Sequence, residues 1–218
     1  GVRYGVDISR ADLLKQGFRS IFLAPGMHDG ARLSIPGISS KIVHQAIDLL
    51  RMAAVGESLP SMGKVAIIGG GNVAMDTART LRRLGVPSVT VACLEAEDEM
   101  PADVEEVRQA REEGVQFLTG WGPQSIAADK GRVRQVRLRR CTSVFDRDGQ
   151  FAPSFDESKT HEVNVDSVVL AIGQSLDATL CNELNRNGDG RVLQVDSVTL
   201  ETGVKGVFAG GDAVSGPR

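Results

Sequence analysis

The sequence predicts an α/β fold in which a parallel sheet is joined by helices and extended by an antiparallel β-meander. Three observations predict it. The stretch Lys64-Val-Ala-Ile-Ile-Gly-Gly-Gly-Asn-Val-Ala-Met-Asp-Thr-Ala-Arg79 is a short apolar run, a glycine turn and the start of a helical pattern. Further apolar runs return at Ser88–Cys93, Val115–Leu118 and Asp166–Ala171, with a helical segment after the first two of these four runs. Between the last two, Arg132–Arg139 and Thr160–Val165 alternate apolar and polar residues with period two, the pattern of strands solvated on one face. Together these describe a Rossmann-like, three-layer β/β/α nucleotide-binding domain.

The elements can be justified in order. Gly1–Asp7 reads as the end of a strand arriving from an earlier part of a protein. Ser20–Ala24 has the pattern of a buried strand, ended by Pro25-Gly26, and Gly30–Gly37 reads as loop. Ser39–Ala54 has helical spacing, with Ile42, Val43, Ala46, Leu49 and Leu50 on one side, and Gly56 and Pro60 break it. Val65–Ile68 is a strand that ends in Gly69-x-Gly71-x-x-Ala74. Gly69 permits the tight turn, Gly71 lets the backbone approach a pyrophosphate, and Ala74 and Ala78 let the helix lie close to the strand. Phosphates favour a helix N-terminus because free N–H groups and the macrodipole attract negative charge. The helix runs through Leu84 and stops at Gly85, and the strand Ser88–Cys93 follows. Glu95 lies 21 residues after Ala74, the place of a carboxylate that accepts hydrogen bonds from the adenosine ribose hydroxyls. The acidic helix Ala102–Glu113 shows a solvated face, and Val115–Leu118 is the third parallel strand. Beyond it, an irregular polar connection separates the two alternating runs, and Arg132, Arg134, Arg137, Arg139 and Arg140 read as an exposed strand face. Asp166–Ala171 is a strand buried on both faces. The chain closes with Val207-Phe-Ala-Gly-Gly-Asp212, where Gly210 and Gly211 allow close backbone approach and Asp212 is placed to hold a sugar or phosphate-linked hydroxyl.

Composition excludes several function classes. The 218 residues, 41% hydrophobic and 24% charged with a net charge of −3, give no reason to expect nucleic acid or an anionic membrane as partner. No segment is apolar for 18 residues and no signal peptide is visible, which favours the cytoplasm. Cys93, Cys141 and Cys181 form no CxxC pair, and His28, His44 and His161 show no metal spacing, so three buried or half-buried thiols and no metal site are expected.

Four ordered motifs, Gly69–Arg79, Glu99–Ala102, Val169–Gln174 and Val207–Asp212, resemble the glutamate synthase small-subunit family of FAD-dependent pyridine nucleotide-disulfide oxidoreductases. The resemblance implies an FAD domain split in sequence by an inserted NAD(P)H domain. It implies hydride transfer from NAD(P)H to FAD, with electrons passing to an iron–sulfur domain or an electron-accepting subunit. By that mapping, residues 1–59 are the end of the first FAD half and a connector, 60–172 the NAD(P)H-binding domain, and 173–218 a connector and the start of the second FAD half. Gly211 and Asp212 then meet the ribityl–phosphate part of FAD. The family's first FAD half and clustered cysteines have no match, so the chain is expected to be a fragment, inactive alone, whose missing FAD-domain halves lie in cis in the full-length protein. Many family members carry arginines where this chain reads Cys93-Leu94-Glu95-Ala96-Glu97, and those arginines suit the 2′-phosphate of NADPH. A carboxylate repels that phosphate, so NAD(H) is expected to be favoured over NADP(H).

The site assignment that follows makes Gly69, Gly70, Gly71, Asn72 and Val73 the pyrophosphate cradle and Glu95 the ribose acceptor. Ala171, Ile172 and Gly173 line the nicotinamide half, because α/β sheets bind ligands at the carboxyl ends of strands. No catalytic acid or base is assigned, since the cofactors carry the chemistry. Asp76 either holds the helix or an interdomain contact by hydrogen bonds, or touches nucleotide; Met100 and Pro101 are structural or pack near adenine. Two other functions compete: a nucleotide-sensing module without redox activity, and a self-contained dehydrogenase, for which no catalytic constellation is visible.

Overall fold

The computed structural model describes residues 1–38, 43–129, 131–177, 184–186 and 192–216. Its elements are α1 (Arg10–Lys15), β1 (Ile21–Leu23), β2 (Asp29–Gly30), β3 (Val43–Gln45), α2 (Ala46–Ala54), β4 (Lys64–Ile68), α3 (Asn72–Arg83) and β5 (Ser88–Cys93). They continue with α4 (Val104–Glu112), β6 (Gln116–Thr119), β7 (Trp121–Asp129), β8 (Arg132–Phe145), β9 (Phe151–Asn164), β10 (Ser167–Leu170), β11 (Gln174–Ser175), β12 (Val207–Ala209) and α5 (Asp212–Ser215). The chain divides into two compact units, residues 30–172 and residues 1–29 with 173–218.

The larger unit has three layers. Its centre is a five-stranded parallel sheet in the order β3-β10-β4-β5-β6. Successive side chains of a strand point to opposite faces, and the core divides accordingly. Val65, Ile67, Val89, Val91 and Val169 face the helices and pack with Leu49, Ala74, Met75, Ala78, Leu81 and Ala110. Ala66, Ile68, Ala92, Val168 and Leu170 face the other way and pack with Ile126, Val133, Val136 and Leu138 of the antiparallel sheet β7-β8-β9. This is the three-layer β/β/α arrangement the sequence predicts. Full burial of all four residues of β10 explains its uninterrupted apolar run. Ala74 and Ala78, both wholly buried, leave α3 free to approach the sheet.

Two charge clamps lock α3 to α4 and to the turn beyond. Arg79 pairs with Glu106 and, at 3.0 Å, with Glu113, whose other partner is Arg83 at 2.5 Å. Arg82 donates to the carbonyls of Glu113, Val86 and Pro87. Gly85 and Gly114 end the two helices at φ +86° and +82°, the left-handed conformation that glycine takes without steric cost.

Several expectations are corrected. Gly1–Asp7 forms no strand but a tight turn, with Gly5, Val6 and Asp7 bonded back to Arg3 and Ile8, and a capped helix α1 follows it. The Ser20–Ala24 run gives the three-residue strand β1, yet it is not buried: Phe22 is 60% exposed. Among the described residues of Ser39–Ala54, residues 46–54 are helical. Val43–Gln45 is an edge strand pairing with β10, and residues 39–42 lie outside the described residues. The expected irregular connection between the alternating runs is itself strand, because β8 and β9 run on as a 14-residue pair to a turn at Asp146–Gln150. The strand β7, not expected from sequence, completes that sheet. The sequence reading ends the first segment at residue 59, whereas β3 pairs in the central sheet, α2 packs on it, and the compact units divide at 29/30.

The smaller unit holds a two-stranded parallel sheet, β1 with β12, and a core of Met27, Leu193, Ala209 and Ala213. Among the described residues no helix is long and apolar enough to cross a membrane.

Candidate functional site

At the carboxyl end of β4 the backbone is forced into a turn that only glycine tolerates. Gly69 has φ +131°, and a Cβ there would lie 2.2 Å from the carbonyl oxygen of Ala171. Its N–H donates to the Ala92 carbonyl at 2.9 Å, continuing the sheet ladder. Gly69 is thus a turn residue, and its amide is not free to hold a phosphate. Gly70 is tight for a different reason: a Cβ would meet Cys93 Cβ at 2.8 Å and Glu95 Oε2 at 3.2 Å. Gly71 has neither constraint. Its backbone is extended at φ −89°, ψ 179°, and a Cβ would enter open space.

Gly71 is also the N-cap of α3, and glycine offers no side chain to satisfy the first turn. The amides of Gly70, Gly71, Asn72 and Val73 donate to no group among the described residues. Four unpartnered N–H groups at the positive end of a 12-residue helix, opening onto empty space, form an anion cradle. The Asn72 side chain is otherwise engaged, because its Oδ1 accepts from Asp103 N–H at 2.8 Å. That bond, with Ala102 N–H donating to the Gly70 carbonyl at 3.1 Å, fastens the 96–103 segment to the cradle. Sequence reasoning missed this tie: Asn72 contributes its amide, while its side chain holds the loop.

Glu95 stands beside the cradle, half-buried, with Oε2 next to Gly70. Its carbonyl accepts from Gly120 N–H at 2.7 Å, which pins the end of β5 to the end of β6. The short helical turn Glu97–Glu99 follows and adds three exposed carboxylates to the same edge. Cys93, one step inside, is buried, and burial together with Glu95 pushes its thiol up to about 12. Cys141 is also buried and its thiol raised by burial, Cys181 lies outside the described residues, and no metal-binding group of side chains exists among the described residues.

The remaining expected residues fall as follows. Ala171 follows β10, with its N–H bonded to the Ile68 carbonyl, and Ile172 is 37% exposed at the carboxyl edge of the sheet. Gly173, the first residue of the second segment of the smaller unit, has φ +111°. Val73 is half-buried, and its carbonyl accepts from the Thr77 hydroxyl at 2.6 Å. Met100 packs on the helical core and Pro101 is exposed. Asp76 is exposed within α3, and its side chain makes no hydrogen bond or ion pair among the described residues. In the smaller unit, Gly210 makes room for the Phe22 ring, Gly211 precedes α5 at φ +69°, and Asp212 is exposed.

The arrangement fits a dinucleotide: donors for a pyrophosphate, room where a Cβ would intrude, and a carboxylate one strand away for a ribose. Comparison with known proteins agrees. The family model of pyridine nucleotide-disulphide oxidoreductases matches residues 6–218. The chain is 35% identical over 221 residues to the NADP(+)-dependent formate dehydrogenase subunit beta of Moorella thermoacetica, covering 99% of this chain and 31% of that protein. It is 32% identical to the glutamate synthase [NADPH] small chain of Halomonas elongata, covering 99% and 49%. Among solved structures, FprA of Mycobacterium tuberculosis in complex with NADPH matches with a TM-score of 0.78 at 17% identity, over 100% of this chain and 62% of that one. The chain thus spans less than half of either relative's length.

Proposed function

We propose, from the premise that the chain belongs to the pyridine nucleotide-disulphide oxidoreductase family, that its larger unit is the nicotinamide-nucleotide site of an FAD-dependent oxidoreductase. Four amides at an uncapped helix N-terminus, unpartnered among the described residues, carry the reading. The amides of residues 70–73 hold the pyrophosphate. Glu95 accepts hydrogen bonds from the adenosine ribose, and Ala171 and Ile172 border the nicotinamide half at the carboxyl edge of β10. Bound together, the two cofactors supply hydride transfer from the nicotinamide to the flavin. The protein's own part is to position them and to keep charge matched at the cradle.

The smaller unit, residues 1–29 and 173–218, is assigned to the flavin-binding portion, with Gly211 and Asp212 facing the flavin's ribityl–phosphate chain. A two-stranded parallel sheet supports this assignment, because parallel strands are stable only within larger covered sheets. Residues outside this sequence would complete it. Electrons then pass to an iron–sulfur domain or an electron-accepting subunit, in the cytoplasm, where reduced nicotinamide nucleotides are available. The chain alone is inactive in this account.

NADH is favoured over NADPH. This departs from the relatives above, whose names carry NADP. It rests on the Glu95 carboxylate beside Gly70, since two negative groups a few ångströms apart repel by roughly 1–4 kcal/mol near a protein surface. Anaerobic mixing of the full-length protein with NADH or NADPH tests the function. Flavin bleaching at lower concentrations of NADH than of NADPH is expected. Bleaching by neither nucleotide contradicts the redox reading, and bleaching more readily by NADPH contradicts the preference.

A further inference from the structure

We propose that Arg140 is the cationic contact for an adenosine 2′-phosphate, so that the site carries two opposed determinants: Glu95 for the free 2′-hydroxyl and Arg140 for the phosphate. The proposal rests on the reading that the adenosine end of a dinucleotide lies beside Glu95. Within β8, burial alternates regularly through Val136, Arg137 and Leu138, then breaks, leaving Arg139 half-buried and Arg140 exposed before Cys141 turns in again. The pairing with β9 shifts at that point, from Arg139 opposite Thr160 to Arg140 opposite Asp156. The residues left unpaired by this shift, 157–159, belong to β9, while Arg140 keeps its regular place opposite Trp121 of β7.

The Arg140 guanidinium stands at the carboxyl edge of the parallel sheet, beside the end of β6. It lies flat against Gly120, where a Cβ would come within 2.8 Å of its Cζ, and it donates to the Thr119 carbonyl at 3.2 Å. Gly120, at φ +74°, is the residue whose N–H holds the Glu95 carbonyl. The acidic ribose contact and this arginine are therefore fixed to the same glycine.

The charge of Arg140 is unmatched. Arg134, Arg137 and Arg139 pair with Asp129, Glu162 and Glu157, but Arg140 has no carboxylate within ion-pair distance among the described residues. Asp156, directly across the ladder, is engaged by Ser158 and Lys159 instead. Arg140 therefore offers a planar set of donors with a single backbone bond made, a match for a phosphate. Its contact with the Trp121 ring, at 5.5 Å, holds its plane without consuming those donors.

Equilibrium titrations of the full-length protein with NADH and with NADPH test this, on wild type, Arg140→Gln, Arg140→Lys and Glu95→Gln. Arg140→Gln is expected to weaken NADPH binding about tenfold while NADH binding changes by less than about twofold. Arg140→Lys is expected to retain part of the NADPH affinity, and the salt dependence of NADPH binding is expected to flatten in Arg140→Gln. Equal weakening of both nucleotides overturns the proposal, because the arginine would then stack on adenine or support the sheet. No change for either nucleotide overturns it as well. If Glu95→Gln leaves the preference unchanged while Arg140→Gln loses NADPH selectively, the proposal stands and the reading of Glu95 falls.

Discussion

Gly69 and Gly71 are two glycines of one motif with opposite reasons for being glycine, and substituting each by alanine separates folding from binding. At Gly69 an added Cβ would sit 2.2 Å from the Ala171 carbonyl oxygen, on a backbone at φ +131°. Relieving the overlap requires moving β4 from β10 in the middle of the sheet. Overpacking of this kind costs about 1–3 kcal/mol, and the strained conformation adds about 1–3 kcal/mol. Gly69→Ala is therefore expected to lose roughly 2–6 kcal/mol, enough to unfold a marginal domain. At Gly71 the backbone is extended and the added methyl meets nothing. Losing glycine as an N-cap costs about half a kcal/mol or more, and the less flexible unfolded chain returns about 0.4–1 kcal/mol. Gly71→Ala should thus keep its stability within about 0.5 kcal/mol of wild type. Its nucleotide affinity should nevertheless fall at least about tenfold, or 1.4 kcal/mol, because the methyl occupies the approach to the amides of residues 70–73. Urea denaturation gives the first quantity and nucleotide titration the second. A Gly71→Ala protein that binds NADH as wild type does would refute the reasoning, since no ligand would then use that space.

Four further expectations follow from the same structure. Glu95→Gln removes the repulsion without removing the side chain, and should narrow the gap between NADH and NADPH affinity by about 1 kcal/mol; an unchanged ratio would mean that the carboxylate does not face the ribose. Arg79→Ala leaves Glu106 unpaired and Glu113 with Arg83 alone and should cost about 1–3 kcal/mol, between the surface and buried limits for ion pairs. The Glu113 carboxyl is held low, chiefly by Arg83 and also by Arg79. Its contribution is therefore present above the ordinary value of 4.5 and lost as the pH falls below it, a slope that acid titration of wild type should show and Arg83→Ala should flatten. Cys93, with its thiol pushed up from 9.0 to about 12, should resist alkylation at pH 8, and its share of stability should decline as pH rises from about 9 toward 12. Rapid modification of native Cys93 would show that the cradle opens in solution.

How much of this was legible in the sequence depends on which force shaped each element. Val65–Ile68, Ser88–Cys93 and Ser167–Leu170 are buried on both faces, so their apolar runs announce them, and glycines punctuate the helices between. The strand β9 is the opposite case. FAPSFDESKTHEVN is mostly exposed and polar on both faces, and it is strand because β8 pairs with it and Arg137 and Arg139 reach Glu162 and Glu157 across the ladder. No periodicity within β9 signals that. The three-residue strand β3 was absorbed into a helical pattern because α2 begins at the next residue. At the site, the glycines and Glu95 carry signals of composition and spacing. The Asn72–Asp103 tie and the seat of Arg140 against Gly120 depend on tertiary approach and leave no local pattern.

The central claim is that a nicotinamide dinucleotide binds with its pyrophosphate on the amides of residues 70–73. Hydrogen exchange of the full-length protein, followed with and without NADH, tests it most directly. The account predicts protection at the amides of Gly70, Gly71, Asn72 and Val73, which donate to nothing among the described residues, together with slower exchange around Glu95. Binding of NADH that leaves those four amides exchanging as fast as before would contradict it.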